Sequence, residues 1–119
     1  MKEEITIYHN PSCSKSRASL ELITSMGFIP KVKLYLEDKL LHEELDEIVK
    51  MLRMKPSDLL RKSEKEYKKY NLGNCRLKDK DIIDIMIKNP VLIQRPIIIS
   101  NNLAVLGRPP ENILQIINK

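Results

Sequence analysis

One cysteine in this sequence stands where a thiol becomes reactive. Cys13 follows Asn10-Pro11-Ser12 and precedes Ser14-Lys15-Ser16-Arg17. Pro11 fixes its own φ and pushes Asn10 out of helical geometry, so the preceding segment ends there. From Ser14 to Met26, residues Ala18, Leu22, Ile23 and Met26 share one helical stripe, so a helix is predicted to begin directly after Cys13. A helix start offers unpaired backbone N–H groups and the positive end of the helix dipole. Those groups bind anions and hold cysteine as thiolate, its nucleophilic form. Lys15 and Arg17 add positive charge. A cysteine without such neighbours is ordinarily buried and inert. The proline, the helix start and the two cations favour instead a nucleophile that shares its turn with an oxyanion site. Three arginines stand beside chain breaks rather than on helix faces: Arg61 after Leu59-Leu60, Arg95 before Pro96, and Arg108 before Pro109-Pro110. The planar guanidinium fork suits a tetrahedral oxyanion. Each arginine taken singly also reads as surface charge, and spacing alone leaves open whether the three meet at Cys13.

The elements that must position these groups follow from periodicity. Ile5-Thr6-Ile7-Tyr8 reads as a short strand ending just before the cysteine turn. Gly27 is a plausible stop for the first helix, and Lys31-Val32-Lys33-Leu34-Tyr35-Leu36 alternates as a strand with one buried face. The helical crossover makes the two strands parallel neighbours. A helical middle follows, with Leu41, Leu45, Ile48, Val49 and Leu52 on one face, Pro56 in the first turn of another helix, and Ile82, Ile83, Met86 and Ile87 at helical spacing before Asn89-Pro90. The charged stretch Arg61–Tyr70 reads as a solvated face. Ile97-Ile98-Ile99-Ser100 and Leu103-Ala104-Val105-Leu106, joined by Asn101-Asn102, read as a hairpin buried on both faces. A last helix bears Ile113, Leu114, Ile116 and Ile117. The order βαβ, helices, ββα predicts an α/β fold with a four-stranded mixed sheet. Its core is residues 1–37 and 90–119, and residues 38–89 form a helical insertion.

Composition narrows the function. At 119 residues, 42% hydrophobic and 31% charged, the chain suits one folded domain. The formal charge of +5 permits an anionic ligand. One Phe, four Tyr and no Trp leave little to stack nucleic-acid bases, so no nucleic-acid partner is expected. Two cysteines, Cys13 and Cys75, argue against a disulfide framework and for a reducing, cytoplasmic setting. Nothing in the spacing ties Cys75 to Cys13, and Cys75 reads as an incidental thiol. No apolar run reaches the ~20 residues that a membrane helix needs.

The motifs themselves resemble a known family. His9-Asn10-Pro11-Ser12-Cys13-Ser14-Lys15-Ser16-Arg17 is similar to the H-N-P-x-C-x-x-S-R signature of the glutaredoxin-linked arsenate reductases, the ArsC family, and of its short arsenate reductase-like members. Leu59-Leu60-Arg61-Lys62, Ile93-Gln94-Arg95-Pro96-Ile97 and Leu106-Gly107-Arg108-Pro109 resemble that family's three arginine segments, in the same order. The resemblance implies a thioredoxin-like fold and an arsenate reductase. In that reading Cys13 attacks arsenate, Arg61, Arg95 and Arg108 hold the oxyanion, and Pro96 is the cis proline beside the cysteine. It further implies glutathione as co-substrate, glutaredoxin as partner, no bound cofactor or metal, and a monomer. His9 either helps to hold Cys13 as thiolate or hydrogen-bonds the turn, and His42 is expected to be structural or solvent-exposed. Ser16 stands where Spx-type RNA polymerase-binding regulators of the same fold carry the second cysteine of Cys-x-x-Cys, so no local disulfide can form. Its hydroxyl, like that of Ser14, is available to a thiolate or oxyanion. The alternatives are such a redox-responsive regulator, or a different thiol oxidoreductase on the same fold.

Overall fold

The computed structural model describes residues 4–73 and 76–117; Cys75 lies outside them. The chain forms two compact units, one from Met1–Asp38 and Arg95–Lys119, the other from Lys39–Gln94.

In the first unit, β1 (Ile5–Tyr8) leads into α1 (Ser14–Ser25), and β2 (Lys31–Lys33) follows. The chain returns later as β3 (Ile97–Ser100), β4 (Leu103–Leu106) and a 3₁₀ helix at Pro110–Gln115. The strands lie in the order β2-β1-β3-β4. β1 runs parallel to β2, with Ile7 opposite Val32, and antiparallel to β3, with Ile7 opposite Ile98. Ile5, Ile7 and Ile98 from the sheet, Ile23 from α1, and Ile113 and Ile116 from the C-terminal segment form one buried cluster. Truncating such an isoleucine to alanine costs about 2–5 kcal/mol, so α1 is held firmly on this face of the sheet. The helix ends as its sequence predicts: Gly27 adopts φ 91°, its N–H bonds Thr24 O, and Phe28 N–H bonds Ile23 O. This is a Schellman closure, with Phe28 packed on the core. Asn101 and Asn102, both with positive φ, close the β3–β4 hairpin in two residues.

Four local expectations change. β2 stops at Lys33 rather than Leu36, because Leu34 O accepts the N–H groups of both Glu37 and Asp38 and turns the chain. Val32 is 42% exposed, not buried, because β2 is an edge strand. Pro30, Lys31 and Lys33 are the residue types that keep such an edge from pairing further. β4 is likewise an edge and leaves Leu103 exposed, and the last helix is 3₁₀ rather than α.

The second unit contains α2 (His42–Leu52), a 3₁₀ turn at Pro56–Leu59, α3 (Lys65–Lys69), α4 (Asp79–Lys88) and a 3₁₀ turn at Pro90–Leu92. α2 packs Leu45, Ile48 and Val49 toward α4, which buries Ile82, Ile83 and Met86. His42 Nδ1 lies 2.6 Å from Asp84 Oδ1 and ties the same two helices at their surface. The segment to Gln94 is held here by a bridge between Leu60 and Ile93 and by Gln94 N–H on Leu59 O at 2.9 Å. α3 buries no residue, as a solvated helix should. Among the described residues no helix is long and apolar enough to cross a membrane.

Candidate active site

The cysteine turn is built by its own short-range bonds. Asn10 O accepts Cys13 N–H at 3.0 Å, and Asn10 Oδ1 accepts Ser12 N–H at 3.0 Å, an Asx turn that shapes the chain around Pro11. Arg17 Nη1 donates to Pro11 O at 2.8 Å and pins the turn from the helix side. Cys13 is the N-cap of α1, with extended backbone, and its C=O accepts the first helical bond from Arg17 N–H. No side-chain hydrogen bond caps this end and no acidic residue lies in the first turn. Burial by itself pushes the Cys13 thiol up. That effect is outweighed by the Ser16 N–H, the Arg95 side chain, the Lys15 N–H and the Arg95 charge, so the thiol lies below its ordinary value.

The arginine-bearing ends of β3 and β4 meet beside this turn. Arg95 precedes β3 and bonds the Cys13 sulfur. Arg108 follows β4 and directs Nη1 to Arg95 O at 3.4 Å. Gly107 N–H donates to Pro96 O at 2.9 Å, and Ser19 Oγ on α1 donates to Gly107 O at 3.2 Å. A side chain at Gly107 would strike Ser19 Oγ and come within 2.7 Å of Pro96 Cγ, so only glycine permits the approach. The Arg95–Pro96 bond is cis, and so is Arg108–Pro109, which no feature of the sequence announces. Cys13, Arg95 and Arg108 are therefore assembled within the first unit. Arg61 belongs to the second unit, where its N–H bonds Leu92 O at 2.7 Å and its Nε reaches Glu64 Oε2 at 3.3 Å.

His9 and Ser16 are both buried, and they bond each other: His9 Nδ1 lies 2.6 Å from Ser16 Oγ, which also accepts Asn10 N–H at 3.0 Å. The Ser16 hydroxyl expected to face a thiolate or oxyanion faces His9 instead, and Ser16 reaches the sulfur through its backbone N–H. Three further residues shape the surroundings of the thiol without standing out as site residues in the sequence: Asn10, Ser19 and Gly107. Asn10 does carry a signal, the Asx pattern of an Asn two residues before Ser12. Ser19 and Gly107 carry no local signal, because their contact spans 88 residues.

A parallel βαβ unit with an antiparallel hairpin beside it, a cysteine at the helix start and a cis proline before β3 define a thioredoxin-like protein. Residues 8–116 match the model of the ArsC family. A protein of Escherichia coli (strain K12) named uncharacterized protein YfgD is 42% identical over 118 residues, 98% of this chain and 99% of its own. An arsenate reductase of Haemophilus influenzae is 38% identical over 114 residues, 95% of this chain and 98% of its own. The solved structure of an arsenate reductase from Vibrio cholerae superposes with a TM-score of 0.96 at 40% identity, covering 98% of this chain and 100% of that one. The chain belongs to the ArsC family.

Proposed function

We propose that this protein is an arsenate reductase that draws its electrons from glutathione and glutaredoxin. The observation that carries the reading is the contact of Arg95 with the Cys13 sulfur at the start of α1, with Arg108 beside it. A thiolate and two guanidinium donors for an oxyanion thus lie side by side. Family membership and the names of the Haemophilus and Vibrio relatives support arsenate as the oxyanion. Arg61 enters as a third donor on the strength of its family motif.

In this mechanism the Cys13 thiolate forms a bond to arsenic and a hydroxide leaves, taking a proton to depart as water. Arsenic remains As(V). The thiol of glutathione replaces a second oxygen, again released as water. A glutaredoxin thiolate then attacks the glutathione sulfur. The As–S bond to glutathione breaks with its electron pair left on arsenic, which becomes As(III), and glutaredoxin leaves as the mixed disulfide. Water cleaves the remaining As–S bond, releasing arsenite and Cys13. Covalent capture divides a two-electron reduction into thiol-exchange steps. The arginines neutralise the oxyanion throughout, and fixed donors aimed at such charge are usually what a site of this kind contributes most. Because Ser16 offers no neighbouring thiol, the reductant comes from outside the turn.

The test is NADPH consumption coupled through glutathione reductase, glutathione and glutaredoxin, with and without arsenate. Arsenate-dependent turnover that disappears in Cys13→Ser is expected. Absence of arsenate-dependent consumption in the wild type overturns the reading.

A further inference from the structure

In the charged stretch Arg61–Tyr70, Lys62, Lys65, Lys68 and Lys69 are exposed, as a solvated face should be. Two of its charges behave differently. The side chains of Arg61 and Glu64 are only 17% and 28% exposed, and they meet, with Arg61 Nε donating to Glu64 Oε2 at 3.3 Å. The backbone is folded to allow this. Arg61 N–H on Leu92 O at 2.7 Å and the buried bridge from Leu60 to Ile93 fix the chain at Arg61. Glu64 N–H then bonds Arg61 O at 3.3 Å and closes a turn that returns Glu64 to the arginine. Glu64 stands at the N-cap of α3, where a side-chain oxygen ordinarily serves the helix's own N–H groups. Its carboxylate makes no such bond and goes to Arg61 instead.

The nitrogen that Glu64 engages decides what the pair can do. A guanidinium donates from Nε and from its Nη pair. A carboxylate across the Nη pair would occupy the fork that suits a tetrahedral oxyanion. A carboxylate on Nε leaves that fork open and fixes the plane in which it lies. Among the described residues, the Nη groups of Arg61 have no other protein partner.

We propose that Glu64 is a positioning residue, which holds Arg61 by Nε and so presents the Nη fork to the oxyanion. The proposal rests on the reading of Arg61 as the third oxyanion donor. It makes a prediction opposite in sign to simple charge repulsion. A carboxylate near an anion opposes its binding, so its removal strengthens binding if charge alone counts. Removal weakens binding if the carboxylate holds a donor in place.

The test is protection of Cys13 from iodoacetamide by graded sulfate. It uses no arsenate, so the substrate assignment can fail separately. Arg61→Ala should weaken protection by about thirtyfold or more. Glu64→Ala should weaken it by about fivefold, the upper end of what a partly exposed ion pair contributes. Two conservative variants separate charge from reach. Glu64→Gln keeps an acceptor oxygen without the charge and should stay within about twofold of wild type. Glu64→Asp keeps the charge but is one methylene shorter, and should weaken protection as Glu64→Ala does. In an Arg61→Ala background, Glu64→Ala should change nothing further, which a general structural role would not produce. Tighter sulfate protection in Glu64→Ala overturns the proposal, because the carboxylate then competes with the anion. Weakening in Arg61→Ala with none in Glu64→Ala or Glu64→Asp overturns the positioning role alone. Unchanged protection in Arg61→Ala removes Arg61 from the clamp, and the role of Glu64 with it.

Discussion

At the scale of residues, Arg95 and Arg108 have separable tasks in the proposed reaction. Arg95 lies at the sulfur, whereas Arg108 bonds the Arg95 carbonyl and is exposed. Arg95→Ala should therefore raise the Cys13 alkylation midpoint and weaken anion binding together. Arg108→Ala should weaken anion binding while leaving the midpoint nearly in place. Loss of a charged donor from an oxyanion site costs about 2–4 kcal/mol, some thirty- to several-hundred-fold in affinity. Protection of Cys13 from alkylation by graded sulfate or arsenate measures both quantities in one experiment. Equal midpoint shifts in the two variants would remove the division of labour.

Among elements, the decisive junction is where α1, the start of β3 and the end of β4 touch through Ser19, Pro96 and Gly107. Its tightness follows from hydrogen bonds on both sides of the Gly107 residue, to Pro96 O and from Ser19 Oγ. A methyl group there must displace Ser19 or Pro96, and overpacking of this kind costs about 1–3 kcal/mol. Gly107→Ala is expected to lower the urea midpoint accordingly and, by displacing Arg95 and Arg108, to weaken sulfate protection at least tenfold. Adding Ser19→Ala relieves one of the two collisions, so the double variant should recover part of the lost protection. A double variant no better than Gly107→Ala alone would show that the Ser19 contact does not set the spacing of the arginines.

The whole molecule feels the site through proton linkage. Burial, then the Arg17 charge, set the His9 pKa below its ordinary value, so the unfolded chain binds more protons than the native one as pH falls below about 6.5. The Cys13 pKa is lowered, so the unfolded chain again binds more protons between the lowered value and the ordinary value of about 8.5. Both signs agree: each group makes the fold less stable on acidification, Cys13 from below the ordinary thiol value and His9 from below the ordinary histidine value. Urea unfolding from pH 9 to pH 5.5 should show a falling midpoint. His9→Asn should flatten the acidic step and Cys13→Ser the alkaline one. Identical slopes in all three proteins would mean that neither group is linked to folding.

What the sequence determined by itself was whatever short-range rules govern. Pro11, the apolar stripe of α1 and Gly27 define a helix that starts at Cys13 and ends in a Schellman turn, and the βαβ and ββ patterns follow from periods of 3.6 and 2. Patterns that depend on a neighbour read less well. Lys31–Leu36 alternates as a strand, but alternation does not reveal that β2 lies at an edge, so its length and the exposure of Val32 were settled by what pairs with it. Tertiary structure alone decided that Arg95 meets the Cys13 sulfur, that Ser19 and Gly107 touch across 88 residues, and that the Ser16 hydroxyl turns toward His9. Each is a contact between segments far apart in the chain or a choice of rotamer in a buried space. Such contacts are fixed by packing rather than by the local preferences that a sequence displays.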